Sequence, residues 1–522
     1  MKKGNIYRVF FGLVLAVFLT LAGGCNGDQC CNDNNCGQPA VDPLPGYLAE
    51  IDRYIQQGMV DWQIPGMTVA IVRGNTVLFQ KAYGVKKLGG NDPVTLDTLF
   101  QIGSTSKSFT TALMAMDVGD GKYGWHDQVL RHLPDFQMYD PWVTDQFMVV
   151  DLSAQRSGMP TQASGGVILY GFSRQHVIDT LQYIPPVSSF RTEFAYQNNL
   201  FLVDAALIEK YSGKTWEQNV RDRIFRPLGM TNSSADQVSY QTAANVATPH
   251  RRIAEQIVPL PMDWHYMYWL YNYGPAGGIN SNIIDMSRYI RLHFNNGAFE
   301  GQQLIKESNA EFVHSPQTIF PPATDQPKQA YCQGWVWREF YPYNIIWHNG
   351  RTSGCKTMLA FIPEAKLGVV VLSNLDDHPF ADDIAYRFFD MYFGHPFRDW
   401  SHEDLVKAIQ KRADDEANKP VPPPFPAPHR PLAEYEGDYY NSVYETVNVA
   451  VNGDGLLVTI GPKHGHMWLR PWDGDTFMSS YDVYIVMEDI GFATFEADAG
   501  GHVTSMTLDS INDNGTGVLI KI

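Results

Sequence analysis

Positive charge is what this sequence most conspicuously lacks: 39 Lys and Arg stand against 56 Asp and Glu in 522 residues, a formal net charge of −17. No run of Lys or Arg rises from that background. A chain with no basic field has no counterions to release from phosphates, so a nucleic-acid partner is not expected. Cysteine is also scarce. Of six, Cys25, Cys30, Cys31 and Cys36 fall near the N-terminus, and only Cys332 and Cys355 lie in the body. Cys30, Cys31 and Cys36 have no histidine or fourth cysteine at zinc-ligand spacing. His126, His132, His250 and His265 likewise lack paired ligands. No metal or other cofactor is expected. Long apolar runs are absent after Leu21, and no internal repeat is visible.

What is present is the composition of a folded protein with a sizeable core, 44% hydrophobic and 13% aromatic. The length suggests two or three domains. Lys2, Lys3 and Arg8 precede a short apolar run, Val9 to Leu21, and then Ala22-Gly-Gly-Cys25. That run is too short to span a membrane comfortably and reads as an export signal. Its end resembles a bacterial lipobox, although Ala22 stands where leucine is usual. The expectation is a signal over residues 1–24, lipidation of Cys25 and a cell-envelope location, outer membrane by the Asn26 that follows. A plain secretory signal cut nearby is the alternative. Residues 25–42, rich in Asn, Asp and Gly, read as a flexible tether. In an oxidising compartment Cys332 and Cys355 are candidates for a disulfide.

Along the body, Leu44 to Met59 reads as an amphipathic helix with Leu48, Ile51 and Ile55 on one face. Gly66 to Arg73 and Thr76 to Tyr83 flank Gly74-Asn75, a hairpin pattern. Residues from about 117 to 290 carry helical patterns and many turn signals. Strand-like runs return at 332–337, 344–348, 356–362 and 368–372, and Asp382 to Tyr392 reads as a closing helix. The order implies an α+β body whose N- and C-terminal pieces share one antiparallel sheet. A hydrolase-sized domain is assigned to 43–410, a proline-rich linker to 411–432 and a small all-β domain to 433–522, built of short strands that include Val483 to Met487.

The chemistry centres on Phe100-Gln-Ile-Gly-Ser104-Thr-Ser-Lys107. A strand-like run ends in Gly103, and a helix with Phe109, Leu113 and Met116 on one face begins. Ser104 is at the helix start, where free N–H groups and the dipole favour negative charge. Lys107 is one turn on, and a lysine driven neutral by burial can take a serine proton. Alone the spacing means little, since Ser353-Gly-Cys-Lys356 repeats it. Two further pieces follow in order: Tyr196-Gln-Asn198 in a turn before a helix, and His348-Asn-Gly350 at a strand end.

Ser-x-x-Lys, Tyr-x-Asn and His-x-Gly together resemble the serine β-lactamase and penicillin-binding-protein superfamily, closest to its class C-like branch of esterases, D-aminopeptidases and carboxypeptidases. The likeness covers roughly residues 44–395 and includes Gly274-Pro-Ala-Gly277-Gly278 and Gln333-Gly334-Trp335. More loosely, Tyr435 to Asn441 and Asp475-Thr-Phe477 resemble an attached lipocalin-like domain. The resemblance implies an α+β fold of the β-lactamase/transpeptidase type, an antiparallel sheet with a helical subdomain, followed by a lipocalin-like barrel. It implies Ser104 as nucleophile, Lys107 as base or electropositive anchor, and Tyr196 as a phenolate proton relay. Asn198 would orient Lys107 and a substrate amide. The N–H groups of Ser104 and Arg351, beside Gly350, would form the oxyanion hole. His348 replaces the usual lysine and, mostly uncharged, grips a carboxylate less firmly. An exported acyl-enzyme hydrolase of a peptide, perhaps with a D-residue, or of a small ester or amide is expected. A true β-lactamase and a non-catalytic binder of peptidoglycan fragments are the rivals. The substrate, a small molecule or peptide, and the oligomeric state are not legible. Trp264 to Tyr273 reads either as the wall of an acyl pocket or as a packed aromatic loop.

Overall fold

Alternation along three apolar strands sets the architecture. In the computed structural model, which describes residues 44–321, 324, 326–481 and 488–522, strands β1 (Gly66–Arg73), β7 (Lys356–Ile362) and β8 (Leu367–Ser373) are buried almost throughout. Successive side chains of a strand point to opposite faces. Met67, Val69, Ile71, Met358, Ala360, Ile362, Val369 and Val371 therefore join one core, and Ala70, Val72, Leu359, Phe361, Val370 and Leu372 join another. A strand buried on both faces needs apolar residues at every position, which is why these runs read as continuous.

With β2 (Thr76–Gly84), β3 (Thr318–Ile319), β4 (Gln329–Tyr331), β5 (Val336–Phe340) and β6 (Tyr343–Arg351), these strands form one eight-stranded sheet in the order β2-β1-β8-β7-β6-β5-β4-β3, antiparallel throughout. Helices α1 (Leu44–Trp62) and α7 (Phe380–Phe393) cover one face through Ile51, Ile55, Phe380, Ile384 and Phe388. The other face packs against α2 (Ser106–Gly119), α4 (Leu200–Ser212) and α6 (Ile283–Phe294). The central helix α2 is buried from Ser106 to Asp117. Its small polar residues are all engaged: Thr110 Oγ1 donates to Pro275 O at 2.7 Å, Thr111 Oγ1 to Gln333 O at 2.9 Å, and Ser106 Oγ accepts from Ile279 N at 3.1 Å. They lock the helix between the sheet and the helical region and so fix what its N-terminus presents.

The linker begins later than composition suggests. Helix α8 (Trp400–Ala417) runs through residues 411–417, and the proline-rich stretch follows it. Beyond lies the expected lipocalin-like barrel, a closed antiparallel ring of β9 (Gly437–Asn441), β10 (Glu445–Asn452), β11 (Gly455–Ile460), β12 (Gly465–Asp473), β13 (Thr476–Tyr481), β14 (Glu488–Ala497), β15 (Val503–Leu508) and β16 (Val518–Lys521). Pairing of Tyr439 with Lys521 closes it. The strand expected at Val483 to Met487 lies outside the described residues, as do the export signal, Cys25 and the tether. Gly46–Ile522 forms one unit by its contacts.

Cys332 and Cys355 are free, buried thiols, not a disulfide. Cys332 follows β4 and Cys355 precedes β7, with β5 and β6 between them. Three strand spacings of ~4.8 Å put them about 14 Å apart laterally, twice the reach of a disulfide. Burial pushes the Cys355 thiol up to about 12 and Cys332 higher still. Among the described residues no helix is long and apolar enough to cross a membrane.

Candidate active site

The site is assembled where the end of β6 crosses the start of α2. A short turn, Gly103–Thr105, feeds α2, and Thr105 Oγ1 donates to Ile102 O at 2.8 Å to hold it. Two glycines permit the crossing. Gly103 has φ +54°, and a Cβ there would lie 2.7 Å from the backbone of Arg351. A Cβ on Gly350 would lie 1.9 Å from Ile102 O. The glycine of His-x-Gly is thus a packing requirement, and the crossing sets Arg351 backbone against the residue preceding Ser104.

Lys107 is fully buried, and its Nζ has three oxygens around it: Asn198 Oδ1 at 2.6 Å, Ala276 O at 3.0 Å and Ser104 Oγ at 3.2 Å. None is a carboxylate. Burial without a counterion holds the amine well below its ordinary pKa. A neutral amine has two N–H groups and one lone pair. Nζ donates to all three oxygens; once the amine has lost a proton, the two carbonyl oxygens keep its N–H groups and the lone pair is left for the Ser104 hydroxyl proton.

Tyr196 and Asn198 are carried by an irregular segment between Gln155 and α4. Gln162 N donates to Tyr196 O at 2.7 Å, Gln155 Nε2 to Gln197 O at 3.0 Å, and Asn199 Nδ2 to Ala163 O at 2.7 Å. The Tyr196 hydroxyl hydrogen-bonds the Ser104 side chain, and Lys107 Nζ sits 4.7 Å from its ring centroid. Burial raises the phenol above its ordinary value, with the Ser104 bond opposing this only in part. Burial therefore disfavours the phenolate implied by resemblance as the resting form. Resting Tyr196 is a phenol, able to donate.

His348 is buried, with Nε2 3.1 Å from Tyr331 Oη and Nδ1 2.6 Å from Asn349 O. The carbonyl requires Nδ1–H, so Nε2 accepts from the tyrosine. Burial first, then the nearby Lys107, push its pKa down to about 3, so it is a neutral imidazole at working pH. Fixed cationic character at the mouth comes instead from Arg251 and from Arg351, whose guanidinium stands 3.6 Å from Asp376 Oδ2. Asp376 is buried, which raises its pKa to about 6 against the opposing pull of Arg351 and Arg251.

Ser104, Tyr196, Asn198, His348 and Arg351 all open onto one cavity of about 700 Å³. Its walls include Trp269, Leu270 and Tyr273, while Trp264, Tyr266, Met267 and Tyr271 form a buried cluster behind. The aromatic run is both wall and packing. Sequence reasoning did not single out Ala276 O, Tyr331, Arg251 or Asp376, nor the barrel residues Tyr481, Ser510 and Ile511 that reach the same cavity. The stretch around Gly277 was noted for its likeness alone. The others carry no local pattern.

A serine hydroxyl at a helix start, within hydrogen-bond reach of a buried amine of depressed pKa and of a phenol, has the groups needed to attack a carbonyl. Known proteins agree. The family model described as Beta-lactamase matches residues 51–389, and one described as a domain of unknown function, DUF3471, matches 421–516. The chain is 28% identical over 442 residues to the unguisins hydrolase ungD' of Aspergillus campestris, covering 78% of each chain. It is 22% identical over 334 residues to protein flp of Staphylococcus aureus, covering 63% of each. In fold it resembles the octameric penicillin-binding protein homologue from Pyrococcus abyssi, with a TM-score of 0.59 and 19% identity over 91% of this chain and 99% of that one. The chain belongs to the Beta-lactamase family and is a serine hydrolase of the β-lactamase and penicillin-binding-protein type, acting on amide or ester bonds.

Proposed function

We propose that Ser104 is the nucleophile of an acyl-enzyme hydrolase that cleaves a peptide bond, with a D-residue as one candidate feature, or a small ester or amide, and that does not require a carboxylate on its substrate. The observation that carries this is the fully buried Lys107 amine 3.2 Å from Ser104 Oγ, held by the carbonyl oxygens of Asn198 and Ala276 with no carboxylate beside it. Lys107 takes the Ser104 proton as Oγ bonds to the carbonyl carbon. The N–H groups of Ser104 and Arg351 receive the oxyanion, and the helix start adds its dipole. Tyr196 donates its proton to the leaving amine or alkoxide. Water then enters: the Tyr196 phenolate takes its proton as it adds to the acyl carbon, and the Lys107 ammonium returns its proton to Ser104 Oγ as the acyl group leaves. Lys107 is the main base because its pKa is depressed while that of Tyr196 is raised.

The neutral His348 supports an esterase or peptidase over a β-lactamase, since a buried imidazole gives a carboxylate no charge to bind. Two relatives are named as unguisins hydrolases, which favours an amide or ester of peptide character. The Ala22-Gly-Gly-Cys25 pattern supports export to a bacterial envelope with a lipid anchor on Cys25. The test is mass spectrometry of the intact protein after exposure to D-amino-acid amides, p-nitrophenyl esters and penicillins. Acyl adducts on Ser104 from esters or amides are expected. Adducts confined to penicillins would sink the substrate assignment, and none from any class, with normal folding, would favour the peptidoglycan-fragment binder.

A further inference from the structure

The barrel is seated on the hydrolase by a continuous core. Helix α3 (Gly165–Leu169) and its neighbour Tyr170 pack into the barrel mouth, where Val167, Ile168 and Tyr170 share one buried cluster with Val458, Ile460 and Ile511. A Cβ on Gly166 would come within 3.1 Å of both Ile511 Cγ2 and Tyr444 Oη, so the two surfaces touch without a gap. Hydrogen bonds fix the seating: Ser164 N donates to Asp513 Oδ2 at 2.6 Å, Lys463 N to Tyr170 O at 3.2 Å, and His176 Nε2 meets Val443 O at 2.9 Å.

This places part of the barrel in the catalytic cavity. Tyr481 at the end of β13, and Ser510 and Ile511 between β15 and β16, line the same space as Ser104. Leu169 and Trp269 line it from the hydrolase side, making that wall largely apolar and aromatic. A space of about 700 Å³ suits a ligand of drug-like size and far exceeds what a small acyl group fills.

We propose that the barrel is a specificity element of this hydrolase: Ser510, Ile511 and Tyr481, facing Leu169 and Trp269, form a distal subsite for a bulky apolar group on the acyl side of the scissile bond. This rests on Ser104 being the nucleophile. The substrate class that follows is an acyl or peptidyl group carrying a long aliphatic or aromatic moiety. A large apolar group gains by leaving water for this wall, while a small acyl group never reaches it.

The test compares Ser104 labelling by ethyl and decyl alkylfluorophosphonates in the full chain. Each forms an Oγ–P bond and breaks P–F, releasing fluoride, while Lys107 takes the serine proton. Ser510→Trp fills the subsite from an exposed position. It should slow labelling by the decyl probe about tenfold and leave the ethyl probe within about twofold, consistent with what an apolar pocket contributes to discrimination. Tyr481→Ala, which removes wall surface, should also lower the decyl-to-ethyl ratio, and it decides the matter if Ser510→Trp fails to fold. The inference is overturned if the ratio stays at the wild-type value in the folded variants, or if both probes slow equally. If wild-type Ser104 takes neither probe, the assignment of the nucleophile fails and the subsite falls with it. Labelling of wild type with an unmoved ratio removes only the subsite.

Discussion

Replacing Asp376 with asparagine should make the protein more stable at neutral pH relative to acid. In the wild type the carboxyl is buried beside the cavity; Arg351 stands 3.6 Å away with much of its side chain in solvent, and Arg251 also pulls on it. Burial dominates and lifts the pKa from 3.8 to about 6. The folded state therefore holds a proton that the unfolded chain has already released between those two values. Stability falls wherever the folded state binds more protons than the unfolded state as pH rises. A shift of about 2 units corresponds to about 3 kcal/mol at ~1.36 kcal/mol per unit. That contribution is complete below pH 3.8 and gone above 6, and about 2 kcal/mol of it disappears between pH 4.5 and 7.5. Asparagine does not titrate. Urea unfolding of both proteins across that range gives a difference in which the other titrating groups largely cancel. Asp376→Asn should gain about 2 kcal/mol on the wild type from pH 4.5 to 7.5. A difference flat to within about 0.5 kcal/mol would show that Asp376 titrates as an ordinary carboxyl, and the account of its burial would be wrong.

Ser104→Ala should abolish fluorophosphonate labelling, and Lys107→Ala should slow acylation at least ~10³-fold, both read by intact mass against time. Tyr196→Phe keeps the ring but removes the proton donor; a loss of ~10²–10⁴ in amide turnover is expected, with a smaller loss for esters of acidic phenols, whose leaving groups need no proton. Equal losses on both substrates would remove Tyr196 from leaving-group protonation. His348 has a pKa near 3, so rate–pH profiles should show no ionisation from it between pH 5 and 8, and His348→Gln should leave the profile's shape unchanged there. His348→Lys should raise kcat/KM for a carboxylate-bearing amide about tenfold relative to its methyl ester, because it adds a charge-assisted partner. Cys332 and Cys355 should both alkylate after unfolding without reductant, seen by peptide mapping; a linked peptide would contradict their separation.

The parts of the site that sequence made legible are those with a local physical cause. Ser104 and Lys107 are one helical turn apart, so their meeting is fixed by three residues of spacing. Gly350 was part of a motif, and the structure supplies the reason: no side chain fits against Ile102 O. Tyr196 and Asn198 were found by order along the chain, but their approach to Lys107 depends on Gln155, Gln162 and Ala163, none of which carries a pattern. The depressed pKa of Lys107 is a property of its burial, and Ala276 O, which accepts from it, lies 169 residues away in sequence. Burial of Tyr196, equally invisible in sequence, is what disfavours the expected phenolate. The disulfide expectation failed for a related reason: compartment says whether thiols oxidise, not whether β5 and β6 stand between them. The strands of the two-sided core were legible because continuous apolar runs leave little freedom, whereas residues 411–417 looked like linker by composition and instead finish α8.

A chemical asymmetry follows from how this site is built. The groups that would make and break bonds are held by α2, the Tyr196 segment and the end of β6, all in the hydrolase and none of them a carboxylate. None of them distinguishes one acyl group from another, because a neutral amine, a phenol and backbone N–H groups act on any carbonyl of suitable geometry. Selectivity must then come from the walls. On one side these are Arg251, Arg351 and Asp376, whose charges lie at the mouth; on the other they are Trp269, Leu169 and the barrel. The neutral His348 removes the cation that would tie recognition to a carboxylate next to the scissile bond, which shifts the burden of recognition outward. The barrel sits on the segment between Ala163 and Tyr170, and Ala163 O in turn holds Asn199 beside Tyr196 and Asn198. A change in barrel sequence can therefore alter both the far wall and the support of the catalytic tyrosine without touching a single motif residue.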